Sequence, residues 1–156
     1  MPRLADISKN KYTILSRILE HEGLKKALYY TDRDFLDKPD VEDSQLLNKH
    51  IFPYPITLDE TTEVGTFLTM QNKEFRLTQS SYKTGTIAIN VFCHKDVIET
   101  DYAPLRYDFI VSEIDKLLNQ QRGVGMGKLT FHELEEINVD HGFLGQSITY
   151  RLYEFN

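Results

Sequence analysis

The chain has no tryptophan, a single cysteine and five prolines in 156 residues. One cysteine excludes an internal disulfide and any site built from several thiolates, and a reducing compartment is the simplest setting for Cys93. No stretch approaches the roughly 20 apolar residues that span a bilayer. The start, Met1-Pro2-Arg3-Leu4-Ala5-Asp6, lacks the apolar run of a secretory signal. The expectation is a protein made and kept in the cytoplasm, with no membrane contact. Clustered cations are missing too. Lys and Arg total 18 against 24 Asp and Glu, a net charge of −6. That excludes a protein that grips nucleic acid through its phosphates, though not one that stands near DNA without holding it.

What is present fits one ordinary globular unit. Hydrophobic residues make up 40% and charged residues 27%, and Phe and Tyr number nine each. A chain of this length buries about 70% of the surface its unfolded form exposes. The expected organisation is a single domain over 1–156. It has an N-terminal helical part (1–30), an irregular acidic and Pro-containing segment (31–64), and a hairpin, helix and two strands (65–156).

Tyr12, Leu15, Ile18 and Leu19 fall at helical spacing and predict a helix over 8–22, with Gly23 as its stop and a further turn or two over 24–30. Residues 32–43 are acidic and without period, which predicts a solvated, mobile surface loop. Residues 51–56 (IFPYPI) carry two prolines one residue apart and predict an extended piece. Strands are expected over 66–78, with a break near Asn72-Lys73, and over 84–95, where Ile87, Ile89, Val91 and Cys93 alternate with Ala88, Asn90, Phe92 and His94. Pro104 opens a helix whose apolar stripe is Tyr107, Ile110, Val111, Ile114, Leu117 and Leu118, with Arg106, Asp108, Asp115 and Lys116 on its other side. Gly123 to Gly127 form a flexible connection. Strands over 129–138 and 146–155 follow, joined by a turn at Asp140-His141-Gly142. The order α-β-β-α-β-β predicts an α+β fold: a mostly antiparallel sheet of about four strands with two main helices packed on it.

The search for chemistry yields no catalytic, cofactor or metal site. Gly127-Lys128 resembles the end of a phosphate-binding loop, but Arg122 stands five positions before Gly127 and Leu129 replaces the required Ser or Thr. The context is reversed as well, because this loop leads from a helix into a strand. Cys93 and His94 are neighbours in a strand and point to opposite faces, so they cannot pair with each other. His21, His50, His132 and His141 are scattered. His132 with Glu135, and Asp140 with His141, offer two metal ligands each and no more.

The stretch 51–156 resembles the tail-terminator, or tail-completion, proteins of long-tailed phages. The likeness is carried by the Pro-containing piece 51–56, the alternating strand 86–94 (TIAINVFCH) and the helix 106–119 (RYDFIVSEIDKLLN). The glycine-rich 125–129 (GMGKL) and the C-terminal 142–156 (GFLGQSITYRLYEFN) complete it. The resemblance implies a structural, non-enzymatic subunit of a homohexameric ring in the neck of the particle. It would meet the tail tube protein on one side and head-connector proteins on the other, with DNA passing through without sequence-specific binding. It implies assembly in the host cytoplasm and a final place at the head–tail joint. Residues 32–43 could face the channel or the outer wall. The contact surfaces expected from exposed connections are Gln79, Ser80, Ser81, Tyr82 and Lys83, and Gln120, Gln121, Arg122, Gly123, Gly125 and Met126. Two other readings stand beside this one: another neck component, such as a connector adaptor or stopper, and a small cytoplasmic enzyme or ligand-binding domain that uses Cys93 or His94.

Overall fold

Among the residues that the computed structural model describes, 4–78 and 82–155, four long strands of 13 residues each dominate: β2 (Thr66–Thr78), β3 (Tyr82–His94), β4 (Met126–Asn138) and β5 (Phe143–Phe155). A two-residue strand, β1 (Ile51–Phe52), lies parallel to β2, and every other pairing is antiparallel. The order across the sheet is β1-β2-β3-β5-β4. Three helices accompany it: α1 (Leu4–Leu19), α2 (Glu22–Tyr29) and α3 (Arg106–Leu118). The fold is the expected α+β class, with one helix and one short strand more than the sequence pattern suggested.

α3 follows its stripe closely. Tyr107, Ile110, Val111, Ile114 and Leu118 are buried in one core cluster with Ile87, Ile89 and Val91 of β3 and Ile148 and Tyr150 of β5. Each such side chain contributes about 1.5–3 kcal/mol by leaving water. The alternation in β3 also holds: Ile87, Ile89, Val91 and Cys93 are buried in that cluster, while Asn90, Phe92 and His94 stay partly exposed.

The first helix differs from its expectation in both phase and length. Ile7, Ile14, Leu15 and Ile18 are buried, but Tyr12 is 61% exposed. Two residues from Ile14 is about 200° around the helix, so the two cannot share a face. α1 stops at Leu19, and Gly23 is not its terminator. His21 instead starts α2, its Nδ1 accepting from the Leu24 N–H at 3.1 Å, one of the donors that a helix start leaves unsatisfied.

Residues 32–43 are not a free loop. Phe35 is buried and sits edge-on to Tyr102 and Phe109, at ring-centre distances of 5.2 and 5.3 Å. Val41 is buried as well. Ion pairs line the seam: Lys25 to Asp43 at 2.8 Å, Lys26 to Asp40 at 3.4 Å, and Arg33 to Glu99 and Asp101 at 3.0 Å each. Burial works against the Lys25 charge, but the Asp43 and Glu22 carboxylates prevail and raise its pKa.

Arg106 also departs from its expected place on the solvent side of α3. It is fully buried. Its guanidinium donates to the carbonyls of Val97 (2.7 Å), Ala27 (2.9 Å), Tyr30 (2.9 Å) and Asp32 (2.7 Å), and it lies 4.7 Å from the centre of the Phe35 ring. Burial lowers its pKa from the usual range. The carbonyls of Ala27 and Tyr30 belong to the C-terminal end of α2, where a cation is favoured. One side chain thus ties α2, α3 and the start of the acidic segment together.

Candidate functional site

The two sides of the sheet differ in kind. The helix-covered side carries Leu68, Met70, Ile87, Ile89, Val91, Ile148, Tyr150 and Leu152. The other side is polar and small at its centre, with Thr69, Thr86, Ala88, Ser147 and Thr149 bordered by Lys73, Glu133 and Glu135, and aromatic toward one end, where Phe67 pairs with Phe92 and meets His50 and Phe143. A depression of about 140 Å³ on this side is lined by Lys73 and Glu74 of β2, Thr86 of β3, Thr149 of β5 and His132, Glu133 and Glu135 of β4. Four strands share this one hollow.

β4 is the outer strand of this sheet. Its start is bonded on the far side to the preceding connection, through the Arg122–Lys128 bridge, the Leu129 bonds to Gln120 and Gln121, and Phe131 N–H donating to Asn119 Oδ1 at 3.2 Å. Among the described residues no strand pairs with that side from His132 to Asn138. Most of its residues are exposed, including Phe131 at 43% and Leu134 at 48%. Its pairing with β5 shifts between Phe131 and Glu133, so His132 is an extra, bulged residue. On the helix side Phe131 and Leu134 border a groove of about 250 Å³ with Val111, Asp108 and Asp115 of α3 and Ile148 of β5. The acids there have neutral donors: Gln146 to Asp108, Tyr150 to Asp115 at 2.8 Å, and Tyr107 to Glu136 at 3.4 Å.

The opposite margin is β2. β1 covers Leu68 and Thr69 alone, which leaves residues 70–78 open on that side. A bulge between Lys73 and Arg76 interrupts this stretch, with Glu74 in the left-handed region at φ 57°. The expected break near Asn72-Lys73 is therefore a bulge one to two residues further on, and the pairing resumes beyond it. Phe75 lies against Gly85, where an added Cβ would come within 2.6 Å of its ring. Glycine is needed there to seat the ring.

The expected contact residues fall in two groups. Gln79, Ser80 and Ser81 lie outside the described residues, whereas Tyr82 and Lys83 are the first residues of β3 and pair with Thr78 and Leu77. The connection with Gln120, Gln121, Arg122, Gly123, Gly125 and Met126 is tethered, not loose. Gln120 N–H donates to Leu129 O (2.8 Å), Leu129 N–H to Gln121 O (3.0 Å) and Gly125 N–H to Asn10 Oδ1 (3.0 Å), and Arg17 donates to Arg122 O. Val124 is buried in the core and Met126 opens β4. Alternating glycines suggested freedom, but Val124 anchors the loop in the core and Asn10 and Arg17 tie it to α1.

Residues 21–152 match the YomW family, a phage-associated family. The chain belongs to the YomW family. The matched span takes in α2, α3, β1 to β4 and most of β5, and leaves α1 outside. No curated protein matches the chain. Among solved structures it is similar to a chain of the virion of a native gene transfer agent particle, at 13% identity and a TM-score of 0.47, covering 68% of this chain and 78% of that one. A likeness of that score says nothing of the role of this YomW-family chain.

The remaining residues singled out for chemistry are accounted for locally. Cys93 is buried, 3.5 Å from Thr66 Oγ1, and burial pushes its thiol pKa up, away from the thiolate that a nucleophile needs. His94 points to the other side, where its Nδ1 accepts from Asp96 N–H at 3.1 Å and its ring meets Phe143 edge-on. His21 bonds to Glu113 Oε2 at 3.1 Å. His132 contacts Arg151 at 3.3 Å. Among the described residues no group of three His, Cys, Asp or Glu side chains is placed to hold a metal, and no helix is long and apolar enough to cross a membrane.

Proposed function

We propose that this chain is a structural virion assembly protein, and specifically a tail terminator. Copies of it form a closed ring, six by the resemblance described above, that caps the tail tube and joins it to the head connector. Membership of a phage-associated family supports the setting. The observation that carries the assembly reading is the outer edge of β4 over residues 132–138, where among the described residues no strand pairs with it, beside exposed Phe131 and Leu134. A free strand edge is a template for another chain. In this role the protein has no catalytic task. Its partners are the tail tube protein and head-connector proteins, with Tyr82, Lys83 and the 120–126 connection among the contact points. It assembles in the host cytoplasm and ends at the head–tail joint. With six net negative charges per subunit, the ring repels DNA phosphates and lets the genome slide through.

The test is a particle assembled without the protein. A terminator's loss gives tails of uncontrolled length that do not join heads. Tails of normal length that fail to join would point to a connector adaptor or stopper. Normal particles would overturn both readings.

A further inference from the structure

We infer that the two open margins of the sheet are the two halves of one joint: β4 of one copy pairs antiparallel with residues 70–78 of β2 in the next copy. The inference rests on the ring reading for its cyclic form and names the surfaces that close it.

Strand direction comes first. β2 and β5 run one way, β3 and β4 the other. A second copy set beside β4 with its helices on the same side therefore presents β2 running opposite to β4, and the antiparallel alternation continues without a break. β4 offers its outer backbone over residues 132–138, and this length fits within the open part of β2, residues 70–78. The nine residues of β2 beyond β1 span about 30 Å.

Side chains on the two margins then match face by face. On the polar side β4 carries Glu133 and Glu135, opposite Thr149 and Ser147, and β2 carries Lys73 and Arg76, opposite Thr86 and Thr84. Among the described residues none of these four charges has an ion-pair partner within the chain. On the helix side β4 carries Phe131 and Leu134, and β2 carries Phe75 and Leu77, the last 59% exposed. Joined head to tail, apolar residues meet apolar ones and cations meet carboxylates. The self-paired alternatives fail on charge: β4 with β4 sets Glu against Glu, and β2 with β2 sets Lys and Arg against each other. A head-to-tail joint is heterologous, the kind that closes into rings.

Two charge-reversed variants test the joint by sedimentation: Glu133→Lys/Glu135→Lys and Lys73→Glu/Arg76→Glu. All four positions lie on strands that face solvent or the shallow polar hollow, and circular dichroism checks that each variant keeps its fold. Wild type should self-associate. Each variant alone should associate at least about tenfold more weakly, because like charges meet at every joint. An equal mixture should recover wild-type association, since the two variants alternate with opposite charges at every joint. Leu77→Asp, which leaves the charges in place, should weaken association as well. Wild type that stays monomeric at its highest soluble concentration would overturn the inference. So would either reversed variant, or Leu77→Asp, assembling like wild type, or a mixture no better than its parts. None of these outcomes bears on where the protein sits in the particle, which the assembly experiment above decides separately.

Discussion

Asp40 and Asp43 end on Lys26 and Lys25, whereas Glu133 and Glu135 stand exposed on β4 and make no ion pair among the described residues. The two acidic stretches look alike in composition and do opposite things. Residues 32–43 are bound down, and 133–136 are held out on a free edge. Charge does not make the difference. Exposed ion pairs are worth about 0–1 kcal/mol each, too little to order twelve residues. The docking comes from Phe35 and Val41, whose burial contributes several times more, and from Arg106, which holds the Asp32 carbonyl. The β4 stretch has Phe131 and Leu134 in the corresponding role, but α3 and β5 cover them only in part, leaving them 43% and 48% exposed.

Breaking the first stretch should therefore have the largest effect. Phe35→Ala is expected to cost about 3–5 kcal/mol of folding stability, whereas Leu134→Ala should change the dilute monomer by about 0.5 kcal/mol or less. Denaturant titration of both variants measures the contrast. Equal losses would mean that β4 is packed in a way the free edge does not allow.

Arg106→Met comes next, with an expected loss of about 3 kcal/mol. It removes a buried cation that serves four backbone carbonyls and leaves several of them without a donor. Hydrogen exchange should then speed up in residues 32–43 and leave β4 unchanged.

A smaller effect is set by pH. Burial, with the Asp115 carboxylate adding to it, pushes the Tyr150 phenol well above its ordinary range. In the unfolded chain tyrosine ionises near pH 10. The contribution is therefore complete below about pH 10 and is lost as pH rises beyond it, because the unfolded state gives up a proton that the folded state keeps. Tyr150→Phe should make the fall of the thermal midpoint above pH 10 shallower. The smallest effect belongs to Glu133→Gln with Glu135→Gln, which should leave monomer stability within about 0.5 kcal/mol of wild type while weakening self-association.

Much of the fold is legible in the sequence where the signal is periodic. The α3 stripe and the alternation of β3 announce themselves because many residues repeat one pattern. The docking of residues 32–43 is not legible, because its anchors are two isolated apolar residues in an acidic run and their partners Tyr102 and Phe109 lie far along the chain. Arg106 misleads for a related reason. A charged residue at a helix start reads as solvent-facing, and three of its four carbonyl partners come from segments more than 70 residues away. The bulge at Glu74 leaves no glycine to mark its left-handed backbone. β4 is recognisable as a strand, but its place at the margin follows from β5 inserting between it and β3, a non-local choice that local pattern does not encode.

The most direct measurement is a reconstruction of the assembled tailed particle at a resolution that traces strands. The account predicts a closed ring at the head end of the tail tube, with residues 132–138 of β4 in each copy hydrogen-bonded to the 70–78 stretch of β2 in the next. A ring in which β4 lies open to solvent, or a location away from the head–tail joint, would contradict it.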